Sequence, residues 1–316
     1  MTRAFVFPGQ GSQAVGMGKE LADAFDSARE VFEAVDDALG QSLSRLMFEG
    51  PEAELTLTEN AQPALMAVSL AALRVLEKEG GIALGQAAAC VAGHSLGEYS
   101  ALAAAGALEL GVTARLLKTR GEAMQKAVPV GEGAMAALLG LDLEAAAEVA
   151  AKAAEETGGV CAAANDNAPG QAVISGSVAA VERAIALATE RGAKKSVRLP
   201  VSAPFHCPLM QPAAERMREA LADVSIAPPV VPLMANVTAK AVSDPETIRK
   251  LLVEQVTGMV RWRESVLGMQ ALGVTALVEV GAGKVLSGLA RRIDRELQSI
   301  AVGTPADVDA FLASLK

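Results

Sequence analysis

Apolar residues fall along this chain in two spacings, and the alternation between them outlines an α/β protein. Residues 4–7, Ala-Phe-Val-Phe, form a short unbroken apolar run that reads as a buried strand. From 18 to 39 the period changes. Leu21, Phe25, Ala28, Phe32, Val35 and Leu39 recur every three or four residues, which predicts one amphipathic helix. A second helix covers 61–79, with Pro63 near its start, where a missing N–H does little harm. Residues 87–93 (AAACVAG) read as a strand closing on Gly93. A small-residue helix from Leu96 to about Ala105 and an amphipathic helix over 112–127 follow.

Residues 133–201 change character. Two strands, GAMAALLG and VCAAAND, flank the helix LEAAAEVAAKAAEETG. The turn Asn167-Ala168-Pro169-Gly170 leads into a third strand, QAVISGS, then a helix and the strand KKSVRLPVS. The order βαββαβ is the ferredoxin-like arrangement. The remainder returns to α/β, with helices at 208–223, 245–256 and 261–272, a strand at 275–281 and a helix in GKVLSGLARRI. Strands alternating with helices on both sides of an insert imply a parallel-sheet domain, residues 1–129 with 201–316, interrupted by a smaller α+β subdomain over 130–200.

Composition fits a globular chain: 51% of the 316 residues are hydrophobic, but only 3% are aromatic, so Ala, Val, Leu and Met must build the core. A net charge of −9 argues against nucleic-acid binding, which needs a basic field. Cys90, Cys161 and Cys207 are odd in number and lack a C-x-x-C pair, so neither a disulfide framework nor a thiolate metal site is expected. The first residues lack a basic-then-apolar signal pattern, and no apolar run reaches the roughly 18 residues of a membrane span. A cytoplasmic protein, not associated with a membrane, is the expectation.

The first strand runs into Pro-Gly-Gln-Gly-Ser-Gln-Ala, in which Gly9, Gly11 and Ala14 satisfy the dinucleotide pattern G-x-G-x-x-G/A. That reading needs a second strand ending in an acidic residue about 20 residues on. Helical periodicity fills that stretch instead, so an oxidoreductase built on this loop is disfavoured.

Better chemistry lies further on. Gly93-His94-Ser95-Leu96-Gly97 has the form G-x-S-x-G between a predicted strand and a predicted helix, the setting of a nucleophile elbow. Ser95 would sit on a strained turn, and the helix starting at Leu96 would aim amides at a developing oxyanion. A serine needs a base, and the chain holds two histidines. His94 adjoins Ser95, where side chains diverge, which leaves His206 in the proline-stiffened loop PVSAPFHCPLM. For a third group that orients the histidine, Glu98, Asp244, Glu254 and Glu279 are all open by spacing.

Arg120 falls on the apolar stripe of its helix, with Leu116, Leu117, Met124 and Val128, while Arg115, Lys118, Glu122 and Gln125 take the other side. A buried guanidinium is costly unless it meets an anion. Either an internal carboxylate pairs with it or it clamps a substrate carboxylate with its planar fork.

Together these segments resemble the malonyl-CoA:acyl-carrier-protein transacylases of bacterial type II fatty-acid synthesis, nearly end to end. FVFPGQGSQ, GHSLGEYSAL, TRGEAMQ, PVSAPFHCPLM and VEVGAGKVLSGL match that family's motifs in order and spacing. The resemblance implies an α/β-hydrolase-like core with the ferredoxin-like insert. It implies Ser95 as nucleophile, His206 as base and Arg120 as the malonyl-carboxylate ligand. Gln255 would hold His206 through its backbone carbonyl, and the N–H groups of Gln10 and Leu96 would form the oxyanion hole. In related polyketide acyltransferases a phenylalanine before the histidine accompanies malonyl preference, and Phe205 fits that pattern. Two departures stand out: Ala282 where proline is usual, and Asp166 where an aromatic is common.

The implied reaction is ping-pong transfer of malonyl from malonyl-CoA to the phosphopantetheine thiol of acyl carrier protein. No metal or other cofactor is needed, and a monomer is the default expectation. An acidic carrier would dock transiently through local positive charge, for which Lys194, Lys195, Lys284, Arg291 and Arg292 are candidates. A serine esterase or thioesterase using the same Ser-His site is the alternative, and a noncatalytic carrier-binding module is disfavoured by the intact Ser95, His206 and Arg120 set.

Overall fold

The structure, a computed structural model describing residues 1–315, has ten strands in two sheets. The strands are β1 (Arg3–Phe7), β2 (Cys90–Gly93), β3 (Gly133–Leu139), β4 (Cys161–Ala168), β5 (Gln171–Ser177), β6 (Lys195–Arg198), β7 (Leu233–Met234), β8 (Ala241–Val242), β9 (Ala276–Val280) and β10 (Gln298–Val302). The larger sheet has the order β10-β9-β1-β2-β7-β8. Its first five strands are parallel, and β8 closes the edge as the antiparallel arm of a hairpin.

Central strands buried on both faces need no polar alternation, which is why β1 reads as a continuous apolar run. Successive side chains still point to opposite faces. Phe5 and Phe7 pack into the larger helical core, and Ala4 and Val6 into the second core around Trp262. β1 lies between β2 and β9, so the chain crosses over in opposite directions on its two sides. In open α/β sheets that switch point opens a crevice beyond the carboxyl ends of the strands. The pairing Phe7↔Gly93 starts the two following loops, 8–14 and 94–96, side by side.

The smaller sheet, β4-β5-β3-β6, is fully antiparallel, with helices Leu143–Thr157 and Val178–Glu190 on one face. This is the βαββαβ order anticipated for that stretch, with a separate Ala- and Val-rich core. Its other face contributes Met135, Ala164 and Val173 to the main core.

The predicted helix over 18–39 is two helices, Lys19–Ala24 and Asp26–Leu39, broken at an extended Phe25. A Cβ at Gly18 would lie 2.7 Å from Phe32. In a straight helix those residues would be about 21 Å apart. The break lets the chain fold back, and no strand occupies the stretch the dinucleotide reading required. Also unforeseen were β10, which is a partly exposed edge strand, the two-residue strands β7 and β8, and the closing helix Pro305–Ala313. The helix Thr58–Gly80 includes Pro63 and is buried along most of its length. All three cysteines are free and buried. Among the described residues no helix is long and apolar enough to cross a membrane.

Candidate active site

β2 ends at Gly93, where a Cβ would sit 1.8 Å from the Gly97 carbonyl oxygen. Only glycine allows the chain to reverse so sharply from strand into the helix Gly97–Ala104. Ser95, at the apex, has φ 53°, a left-handed conformation that non-glycine residues rarely adopt. The turn is stapled from across the sheet. Asn236, just after β7, accepts from the Ser95 amide at 2.8 Å and donates to the Gly93 carbonyl at 2.7 Å.

His206 also has a left-handed backbone, φ 57°. Its Nε2 lies 2.7 Å from Ser95 Oγ, and its Nδ1 lies 2.9 Å from the Gln255 carbonyl and 3.1 Å from the Gly258 carbonyl. Carbonyls only accept, so Nδ1 carries the proton and Nε2 is bare, facing the serine hydroxyl. Burial, followed by the charge of Arg120, pushes the imidazole down to about 3, which keeps it neutral at pH 7. Two main-chain carbonyls thus fill the place that a carboxylate takes in other triads.

None of the four acidic residues left open by spacing is bonded to His206. Asp244 caps the helix Pro245–Glu254, Glu254 faces Lys250, and Glu279 accepts from the amides of Leu286 and Ser287. Glu98 is buried and accepts from Gln255 Nε2 at 2.6 Å. Burial pushes its carboxyl up to about 7, against the pull of Gln255, the Asn236 amide and Arg120.

Arg120 is 1% exposed, and among the described residues no carboxylate lies within ion-pair distance of it. Its Nη1 donates to Gln62 Oε1 at 2.7 Å. Its Nη2 reaches Gln255 Oε1 at 2.8 Å and Ser95 Oγ at 3.2 Å, and its Nε is buried without a partner. Every partner is neutral, so the internal ion pair is not what holds it. The Gln255 side chain joins the parts, donating to the Ser95 carbonyl at 2.9 Å as well as to Glu98. Sequence reasoning identified Gln255 for its carbonyl only and missed Asn236 and the Gly258 carbonyl altogether.

The opening loop meets the elbow from β1. A Cβ on Gly9 would lie 2.7 Å from the His94 carbonyl, so glycine there lets the two loops touch. Thr58 Oγ1 anchors the Gln10 side chain at 3.0 Å. The amides of Gln10 and Leu96 donate to no acceptor among the described residues, and both residues line one cleft of about 520 Å³ with Ser95, Arg120, Phe205 and His206. A larger hollow of about 670 Å³ around Arg74 and Glu77 holds none of these groups. If the loop contributes its amide, Gln10→Pro, which deletes the N–H, costs roughly 10²- to 10³-fold in turnover, and Gln10→Ala far less. Equal activity in the two variants, both folded by circular dichroism, would exclude that contribution.

His94 turns away from the serine, with Nε2 2.9 Å from Asn167 Oδ1 and its ring beside Trp262. Ala282 is buried in the loop after β9, and Asp166 pairs with Arg263. Lys194, Lys195, Lys284, Arg291 and Arg292 are all exposed.

The acyl transferase domain family model matches residues 4–305. A malonyl CoA-acyl carrier protein transacylase of Bacillus subtilis (strain 168) is 48% identical over 313 residues, covering 99% of this chain and 97% of that protein. The structure of an acyl-carrier-protein-S-malonyltransferase from Bartonella henselae superposes with a TM-score of 0.96 at 57% identity, covering 100% of this chain and 99% of the other. A malonyl-transacylase solved in complex with a type II PKS acyl-carrier protein gives a TM-score of 0.95 at 42% identity, covering 99% and 100%. Since the likeness extends over both sheets and nearly all of each relative's length, the chain belongs to the malonyl-CoA:acyl-carrier-protein transacylase family.

Proposed function

We infer that this enzyme moves a malonyl group from malonyl-CoA to the pantetheine thiol of an acyl carrier protein, through a malonyl ester on Ser95, and so supplies fatty-acid synthesis. The observation that carries the choice of acyl group is the Arg120 Nη2–Ser95 Oγ distance of 3.2 Å. A malonyl carboxylate is two carbon–carbon bonds from the carbonyl that serine attacks. A guanidinium touching the nucleophile is therefore within its reach, and two planar N–H groups match its two oxygens.

His206 Nε2 takes the Oγ proton as Ser95 attacks the thioester carbonyl. The oxyanion is met by the amides of Gln10 and Leu96. Collapse breaks the C–S bond, and His206 returns the proton to the departing thiolate of coenzyme A. The carrier's thiol then gives its proton to His206, attacks the ester and leaves with the malonyl group, restoring the Ser95 hydroxyl. Phe205 packs beside the acyl group, and the five exposed basic residues offer the docking charge for an acidic carrier. Residues 1–129 with 201–316 form the catalytic domain and 130–200 the small subdomain, a division supported by the core that the latter builds between its own sheet and helices.

Intact mass after mixing with malonyl-, methylmalonyl- and acetyl-CoA tests the reading. The expected result is a malonyl adduct in excess over the acetyl one, stable without a thiol and discharged by carrier protein. An adduct that turns over in buffer as fast as with carrier would make the protein a hydrolase.

A further inference from the structure

Just before its last residue, Ala168, β4 carries three consecutive polar residues, Asn165-Asp166-Asn167, and register irregularities fall on either side of Asn165 and Asp166. Bulges re-aim side chains that strict alternation would send to opposite faces. Here Asp166, 2% exposed, is turned onto the main domain. Both its carboxylate oxygens accept from Arg263 Nε at 3.0 Å, and Oδ2 lies 2.9 Å from Nη2. Beside this pair the main chains join as well: the Asp166 amide donates to the Val260 carbonyl and the Val260 amide to the Ala164 carbonyl, both at 2.9 Å.

The run 255–263 is thereby fastened at two ends. At one end the carbonyls of Gln255 and Gly258 hold His206 Nδ1, and at the other Val260 and Arg263 hold the small sheet. The small sheet in turn supplies one wall of the cleft over Ser95.

We propose that Asp166 and Arg263 are a positioning pair that keeps the small sheet seated on the run 255–263, whose carbonyls hold His206, and so keeps water from the acyl-enzyme. The inference rests on the malonyl-serine reading above. With the pair broken, the cleft wall lifts along this edge. Water then gives a proton to His206 Nε2 and its oxygen attacks the ester carbonyl, the C–Oγ bond breaks, and the proton passes to Ser95 Oγ as free malonate departs.

The test compares malonyl-adduct lifetimes by intact mass, without any thiol, in wild type, Asp166→Asn, Arg263→Ala and Arg263→Lys. Arg261→Ala, which removes an ion pair with Glu264 on the same helix, serves as control. Lifetimes about tenfold shorter in Asp166→Asn and Arg263→Ala, an intermediate value in Arg263→Lys and none lost in the control support the pair. Asp166→Asn keeps volume and leaves no buried charge, so it reports even where Arg263→Ala fails to fold. Adducts that form and decay at the wild-type rate, whatever happens to melting temperature, overturn it. Absence of an adduct in wild type would instead overturn the malonyl-serine reading on which it rests.

Discussion

In Ser95→Ala, exposure to malonyl-CoA leaves the intact mass unchanged, and transfer to carrier protein falls by roughly 10⁴-fold or more. Among the described residues, no cysteine lines the cleft around Ser95. Ser95 Oγ is the oxygen to which both His206 and Arg120 are bonded, and the buried cysteines have their thiol pKa values raised by burial. In the proposed mechanism the histidine acts only through that oxygen, so adding His206→Ala to Ser95→Ala should cost almost nothing more, since residues that act as a unit are grossly non-additive. A further arm separates chemistry from folding. Ser95 is held at φ 53°, a conformation that costs a non-glycine residue on the order of 1 kcal/mol or more. Ser95→Gly should therefore be inactive and yet melt higher than Ser95→Ala. An adduct persisting in either variant would remove Ser95 from the nucleophile's place.

The residues most legible in the sequence were those that break a local pattern. Ser95 interrupts a strand-to-helix passage with two glycines beside it, Arg120 puts a charge on an apolar stripe, and His206 is one of only two histidines. Asn236 and the side chain of Gln255 break no pattern. Their importance comes from closing distances across 141 and 160 residues of chain to Ser95, and an uncharged amide in an ordinary segment carries no local trace of that. The same limit applied to the fold. The βαββαβ insert was readable because each of its elements has its own periodicity. The break at Phe25 was not, because the apolar period continues through it and only the contact of Gly18 with Phe32 makes it necessary. β10 was missed because a partly exposed edge strand lacks the continuous apolar run that marked β1.

Arg120→Ala should leave a working serine that no longer favours a charged acyl group. Removing one partner of a buried, hydrogen-bonded charge pair costs roughly 2–5 kcal/mol, which converts to about 30- to 4,000-fold in the malonyl-to-acetyl ratio of adduct formation. Most of that change should be lost malonyl reactivity, because acetyl never used the guanidinium. Arg120 is held by the side chains of Gln62 and Gln255, and Glu98 acts on its charge only from beyond ion-pair distance. Burial holds the pKa of Arg120 below the usual guanidinium value, and removing the charge also lifts one of the three influences that depress His206, the others being burial and His94. The variant's imidazole should consequently be the stronger base, so acetyl adducts form no more slowly than in wild type and their pH profile moves toward higher pH. Arg120→Lys keeps the charge but loses the planar fork and should fall between the two in malonyl preference. Competition between malonyl- and acetyl-CoA, read by adduct mass, decides the matter. An unchanged ratio in Arg120→Ala would mean that the arginine serves the elbow's architecture and that another group selects the acyl chain.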